Sequence, residues 1–276
     1  MHGSQSTPNL ELFLFTRDVG LATRAVSAGV DGIVIDWERR GKRARQHGAD
    51  TEVNEDTVDD LRLVRAAVHA PVLCRINAVA RETSLEIDAA VDAGADEVLV
   101  PMIRRPEEVE LVLELAAGRL DVGILVETVD AVDCAQALGR LPVSRVFVGL
   151  NDLAIERHSP SIFAALVDGT VERIRSAFSA PFGLAGMTVP DAGDPIPSHL
   201  LTGELARLRC SFTFLRRSFR RDIVGRNIED EVPRMREALR QSTVRSPIDV
   251  AAEREELVDL VESLERLVRS PEALRA

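Results

Sequence analysis

The sequence predicts a (β/α)8 barrel, and three observations carry that prediction. Short apolar runs alternate with longer helical patterns along the chain. Most of these runs are continuously apolar rather than alternating, which is the pattern of strands buried on both faces of a parallel sheet. Eight of them, each followed by a crossover, fall within about 220 residues, a span that suits a closed barrel. A doubly wound open sheet is the competing architecture. Its dinucleotide-binding form requires G-x-G-x-x-G after an early strand, and the sequence contains none.

The predicted strands are Leu12–Thr16, Gly32–Asp36, Val72–Asn77, Glu97–Pro101, Gly123–Glu127, Arg145–Gly149, Phe182–Gly186 and Ser211–Leu215. Between them, apolar residues at i, i+3 and i+4 predict helices over Val58–Ala67, Glu86–Ala93, Pro106–Ala117 and Asp130–Leu138. Asp56 or Thr57 caps the first, Gly94 follows the second, and Pro106 opens the third. Residues 10–223 thus form the barrel. Residues 224–276 read as a helical extension of two amphipathic segments, Ile228–Arg240 and Val250–Arg269. The second carries an apolar stripe of Leu257, Leu260, Val261, Leu264 and Leu267. Such a stripe demands a partner, either the flank of its own barrel or a neighbouring subunit in a homo-oligomer.

Composition narrows the function. With 34 Lys and Arg against 45 Asp and Glu, the net charge is −11, which argues against general nucleic-acid binding because that requires a basic face. No apolar run approaches the roughly 20 residues that span a bilayer, so no membrane role is expected. The N-terminal MHGSQSTPN lacks the charged and apolar regions of a signal peptide. Cys74, Cys134 and Cys210 are far apart and without CxxC spacing. They read as buried reduced thiols of a cytoplasmic protein.

In a barrel, chemistry sits at the C-terminal ends of the strands. There the sequence places Asp36 and Glu38 after strand two, Arg75 and Asn77 after strand three, Glu127 after strand five and Asp152 after strand six. Carboxylates converging with little else soft make a hard-cation site, suited to Mg2+ or Mn2+ with water and substrate oxygens completing the shell. An arginine beside such an ion suits a carboxylate or an enolate oxygen. Arg75 and the ion together would stabilise the negative charge that develops on a keto-acid oxygen.

Five segments, GIVIDWE (Gly32–Glu38), CRIN (Cys74–Asn77), GADEVLVPM (Gly94–Met102), ILVET (Ile124–Thr128) and VGLNDL (Val148–Leu153), resemble one superfamily in order and spacing. It is the HpcH/HpaI aldolase and citrate lyase β-subunit group, metal-dependent barrels that cleave or form C–C bonds. The resemblance spans residues 10–222. It implies a divalent metal on Glu127 and Asp152, and a substrate-binding Arg75. It also implies an acidic cluster, Asp36 and Glu38, that orients metal-bound water or neighbouring groups. The backbone amides matching its pyruvate-carboxylate receptors are those of Met102, Leu150 and Asn151. The implied activity is lysis of a carbon–carbon bond in a 2-keto acid, with pyruvate-enolate chemistry.

The sequence departs from the family pattern at Arg39, where the keto-acid aldolases place an acid–base histidine. A guanidinium cannot act as a base at neutral pH. Metal-bound hydroxide is the natural substitute, and His47, in the loop after strand two, is the side-chain candidate. That loop, ERRGKRARQHG (Glu38–Gly48), sets Arg39, Arg40, Lys42, Arg43 and Arg45 beside the expected mouth of an acidic protein. Arg216, Arg217, Arg220 and Arg221 follow strand eight. Together they predict an anionic co-substrate, with Arg39 and Lys42 as binding residues. Two alternatives stand beside the aldolase. In one, the substrate is an acyl-CoA thioester, as in citrate or malyl lyases. In the other, the protein is a non-catalytic relative that binds a ligand or partner. His69, His158 and His199 read as structural or surface residues, and Trp37 as packing at the barrel rim.

Overall fold

The computed structural model describes residues 10–41 and 55–268. Eight parallel strands close in sequence order into a barrel, with the last paired to the first. They are β1 (Glu11–Phe15), β2 (Gly32–Asp36), β3 (Val72–Arg75), β4 (Glu97–Val100), β5 (Asp121–Val126), β6 (Arg145–Val148), β7 (Phe182–Gly186) and β8 (Phe212–Leu215). Around them run α1 (Val19–Ala28), α2 (Val58–Ala67), α3 (Thr83–Asp92), α4 (Pro106–Ala116), α5 (Val129–Asp133) and α6 (Ala135–Leu138). These are followed by α7 (Leu150–Glu156), α8 (Ala164–Val167), α9 (Thr170–Ala177), α10 (Ser198–Arg207), α11 (Arg217–Asp222), α12 (Ile228–Ser242) and α13 (Pro247–Val268).

Each strand's side chains alternate between the barrel interior and the helix layer. The interior is filled by Phe13, Phe15, Val34, Leu73, Leu99, Leu125, Phe147, Phe212 and Phe214, all buried in one cluster. Leu12, Leu14, Ile33, Ile35 and their counterparts on the outer face form the larger core with the helices. The interior is therefore a packed core with no pore, and the ends of the strands are what remains open to chemistry.

Several element ends differ from the sequence expectation, each for a local reason. β3 stops at Arg75 rather than Asn77, because the Asn77 amide is taken by the Glu86 carboxylate (3.0 Å). β6 stops at Val148 because Gly149 turns the chain into α7. The predicted helix Asp130–Leu138 is two short helices meeting at Cys134, whose backbone is not helical. At the start of α2 it is Thr57, not Asp56, that caps, in a reciprocal pair with Asp60.

The C-terminal segments pack on their own barrel. α12 lies against α1 and α10, completing the ring where β8 returns to β1. Arg236 pins it there through the carbonyls of Leu10 and Gly29 and the Asp31 carboxylate. α13 covers α10 and α8, with Leu257 and Val261 fully buried and Leu260 and Leu264 packed against the core. Arg254 bonds Glu204 (3.0 Å) and the Leu166 carbonyl (2.7 Å). Leu267 alone of the stripe stays exposed. The stripe thus finds its partner within the chain, and it supplies no argument for a second subunit.

Candidate active site

The carboxyl ends of the strands deliver a cluster of buried charge. Asp36 is fully buried at the end of β2, and Glu38 and Arg75 are buried beside it. Arg75 points inward because it lies two residues beyond Leu73, on the same face of β3. Its Nε and Nη2 donate to the two oxygens of Asp36 at 2.7 and 2.6 Å, a two-pronged pair. Nη1 lies 3.2 Å from Glu38. Burial opposes the guanidinium's charge, yet these two carboxylates more than offset it and hold its pKa above the ordinary arginine value. Asp56 supports the group from behind, accepting the Asp36 amide at 2.9 Å. Asp36 and Glu38 therefore act first as the holders of Arg75.

Glu127 follows β5 and is likewise buried. Its Oε1 accepts the Met102 amide at 2.9 Å. Met102 reaches that position with φ of 57°, a left-handed backbone conformation that is uncommon outside glycine. Gly149, which precedes α7, must be glycine for a steric reason, since a Cβ there would collide with the Glu127 carboxylate. Burial, then the charges of Asp152 and Glu38, push the Glu127 carboxyl up to about 8, against the pull of Arg75 and the Met102 amide.

One cavity of about 140 Å³ joins these groups. It is lined by Arg75, Glu127, Leu150, Asn151, Asp152 and Arg216, with Phe147, Phe163, Met187, Leu201 and Phe214 as an apolar wall. Of the predicted site residues, the structure thus brings Arg75, Glu127, Leu150, Asn151 and Asp152 to a single cavity. Asp36 and Glu38 stand behind Arg75. Met102 does not line the cavity, and its amide is already given to Glu127. Arg39 is exposed, and its guanidinium turns away to the Asp56 carbonyl. Arg40 is spent on Glu82 and Glu86. Lys42, Arg43, Arg45 and His47 lie outside the described residues. His69, His158 and His199 are exposed, and none of them lines the cavity. Trp37 packs at the rim, donating to the Thr57 carbonyl at 3.1 Å. Cys74 and Cys210 are buried free thiols, whereas Cys134 is only half-buried.

Arg216, which the sequence places after strand eight among the groups for an anionic co-substrate, does line the cavity. Its signal was available in FTFLR, where Phe212, Phe214 and Arg216 share one parity. Once the two phenylalanines face inward, Arg216 does too.

The arrangement fits a divalent ion. Burial first, and then the charges of Asp152 and Glu38, raise the Glu127 carboxyl, and a cation between Glu127 and Asp152 would offset both. Among the described residues no group of three or more His, Cys, Asp and Glu side chains converges as a complete ligand set. Glu127 and Asp152 would hold the ion as a pair, as Mg2+ is often held, with other positions left for water and substrate.

Comparison with known proteins agrees with this geometry. The model of the family HpcH/HpaI aldolase/citrate lyase matches residues 10–156. No curated protein matches the sequence. Among solved structures, an HpcH/HpaI aldolase from Desulfitobacterium hafniense DCB-2 superposes with a TM-score of 0.58 at 15% identity, covering 76% of this chain and 87% of that one. The citrate synthase SbnG gives 0.58 at 17% identity, covering 79% and 89%. A family protein from Burkholderia cenocepacia J2315 gives 0.57 at 20%, covering 85% and 95%. At these identities the superpositions establish the shared fold.

Proposed function

Because this chain belongs to the HpcH/HpaI aldolase/citrate lyase family, a family of lyases and aldolases, we propose that it is a divalent-metal-dependent lyase that cleaves or forms a C–C bond in a 2-keto acid. The observation that carries the reading is the juxtaposition of buried Glu127 and Arg75 with half-buried Asp152 around one cavity at the barrel mouth. A bound Mg2+ or Mn2+ would supply Lewis-acid polarisation of the keto oxygen.

The protein's own groups account for the rest. Cleavage of a 4-hydroxy-2-keto acid removes the hydroxyl proton, breaks the C3–C4 bond and leaves its electron pair in the enolate of the keto acid. C4 departs as an aldehyde carbonyl, and a proton returned to C3 completes the balance. Negative charge therefore develops on the C2 oxygen, and Arg75 stands beside it with a cation already locked in place by Asp36 and Glu38. Preorganisation of this kind stabilises the transition state without reorienting a side chain during reaction. Only two of the five Arg75 N–H groups are given in hydrogen bonds to Asp36, and N–H groups beyond these can donate to the substrate. Glu127, fixed by the Met102 amide, and Asp152 would hold the ion. Asn151 and Leu150 shape the wall beside them. No described histidine lines the cavity, and Asp36 and Glu38 stand behind Arg75, so the hydroxyl proton passes to water in the cavity itself.

Exchange of pyruvate methyl protons with D2O tests the reading, with Mg2+ or Mn2+ supplied and EDTA as the control. Metal-dependent exchange that is lost in Glu127→Gln supports it. Absence of exchange with every metal, together with stabilisation by CoA esters but not by pyruvate or oxalate, would replace the keto acid by a thioester.

A further inference from the structure

α13 does more than bury its own apolar stripe: it is tied to the wall of the reaction cavity. Part of that wall comes from residues 160–167, which carry Ile162 and Phe163 to the cavity and end in α8, and part from α10, which carries Leu201. The first of these has few anchors of its own. Ile162 stays 40% exposed, so burial does not fix it. α8 is a single turn, too short to hold itself as a helix. Among the described residues, the hydrogen bonds of 160–167 run to neighbours within four residues in the chain, such as the Phe163 amide to the Ser161 hydroxyl at 3.2 Å. The exception is the Leu166 carbonyl, which lies in the last turn of α8 and so lacks a partner within the helix. It accepts from Nη2 of Arg254, on α13, at 2.7 Å.

Arg254 is fixed in turn by α9 and α10. Its Nη1 donates to Glu204 at 3.0 Å, and its Nη2 also reaches Glu172 at 3.1 Å. Glu204 is buried and already held by Arg207 through two bonds of 2.7 Å, and Glu172 accepts from the same arginine at 2.5 Å. Both carboxylates therefore keep a cation without Arg254. What Arg254 adds is geometric: a rigid fork planted on α10 that reaches the carbonyl by which α8 is bonded from outside. One side chain thus joins the two elements that bring Phe163 and Leu201 to the cavity.

A wall ordered before the substrate arrives excludes water from the reacting charges, and its ordering is not charged against binding. We propose that Arg254 is a positioning residue: through the Leu166 carbonyl it holds Ile162 and Phe163 in place, so that the C-terminal extension sets the affinity of the barrel-mouth site for its substrate. The inference rests on the keto-acid reading for the identity of that substrate, and on the geometry alone for the tie.

The test follows Arg254→Met in the full chain by two readouts. The first is deuterium uptake by the backbone amides of 160–167, which should quicken about 10-fold while uptake in β4 and β5 is unchanged. The second is exchange of pyruvate methyl protons with Mg2+ supplied. There KM should rise about 5- to 10-fold with kcat kept within about 2-fold, because the loss falls on ordering the wall during binding. Phe163→Ala should raise KM as well, and Arg254→Met added to it should change KM by less than about 2-fold more, since both act through one wall. Arg236→Met, which loosens α12 instead, should lower Tm and leave KM and the uptake of 160–167 as they are. Should Arg254→Met fold poorly, Arg254→Lys, which lacks the fork, is read on the same scales. Unchanged uptake in the folded variant overturns the proposal. So does a lower Tm with KM unchanged, an equal rise of KM in Arg236→Met, or effects of Arg254→Met and Phe163→Ala that multiply. If the parent exchanges no pyruvate protons with any metal, the keto-acid reading fails by itself, and the uptake of 160–167 still decides the inference.

Discussion

At the N-terminal end of the barrel, Glu97 is buried and Arg145 half-buried beneath the phenylalanine cluster. Glu97 accepts from the Arg145 Nε at 2.7 Å and from the Ser144 hydroxyl at 2.6 Å. The guanidinium lies 4.5 Å from the Phe13 ring and 5.0 Å from Phe212, with Glu11 3.5 Å away on its outer side. At the C-terminal end, the same residue types sit on the same kind of aromatic floor. There Glu127 is buried with the charges of Asp152 and Glu38 acting on it, and Arg216 forms no ion pair among the described residues. The N-terminal pair serves the fold, although Arg145 Nη1 is buried there without a hydrogen bond. The C-terminal group is paired at Arg75, and the crowding of Glu127 by Asp152 and Glu38 marks where a cation would bind.

Paired substitutions separate the two ends. Glu127→Gln should reduce metal-dependent exchange on the order of 10³-fold, the scale of losing a principal charge stabiliser of the transition state, while leaving thermal stability of the metal-free protein unchanged or higher. Glu97→Gln should do the reverse. It leaves Arg145 half-buried against a neutral partner and should cost about 3–5 kcal/mol of unfolding free energy, with exchange per folded molecule retained. Chemical denaturation and the D2O exchange assay read the two effects independently. If Glu127→Gln proves the more destabilising of the two, the contrast between the ends is wrong.

The glycines provide a finer comparison. A Cβ at Gly123 would lie 2.6 Å from the Glu97 carboxylate, so Gly123→Ala should destabilise by about 1–3 kcal/mol through overpacking. Gly149→Ala presses instead on Glu127. Its effect should fall mainly on the apparent affinity for Mg2+, seen as a raised metal concentration at half-maximal exchange.

The smallest effect is a pH dependence. Glu127 has a folded pKa of about 8 against 4.5 for the free side chain. Between those values the unfolded chain has lost a proton that the folded one keeps. The contribution of Glu127 to metal-free stability therefore falls as pH rises from about 4.5 to about 8, and levels off beyond. The parent-minus-Glu127→Gln difference in Tm should show that slope. Added Mg2+, which needs the deprotonated carboxylate, should stabilise the parent more at pH 8 than at pH 6. A flat difference would show that the neighbouring carboxylates do not act on Glu127 as the geometry requires.

Much of this was legible in the sequence because the signals are local. Continuous apolar runs mark strands covered on both faces, and a polar residue ending such a run lies at the barrel mouth. Asp36, Arg75 and Glu127 were readable on that ground, and Asp152 from its position just after strand six. Arg216 was readable too, from the parity of FTFLR and its place after strand eight.

What the chain alone determined is the closed barrel, the strand that delivers each charged group, and the acidic character of the mouth, since period-two alternation and strand order are properties of neighbouring residues. What only the tertiary structure decided is how those groups are shared out. Arg75 is engaged by Asp36, the Met102 amide by Glu127, and Arg39 by the Asp56 carbonyl, while Arg216 stays open and the stripe of α13 folds back onto α10 and α8. Each is a contact between residues distant in sequence, and each depends on angles and separations of an ångström or two. Composition and spacing place the charges at one rim, but a hydrogen bond is made or lost within that distance.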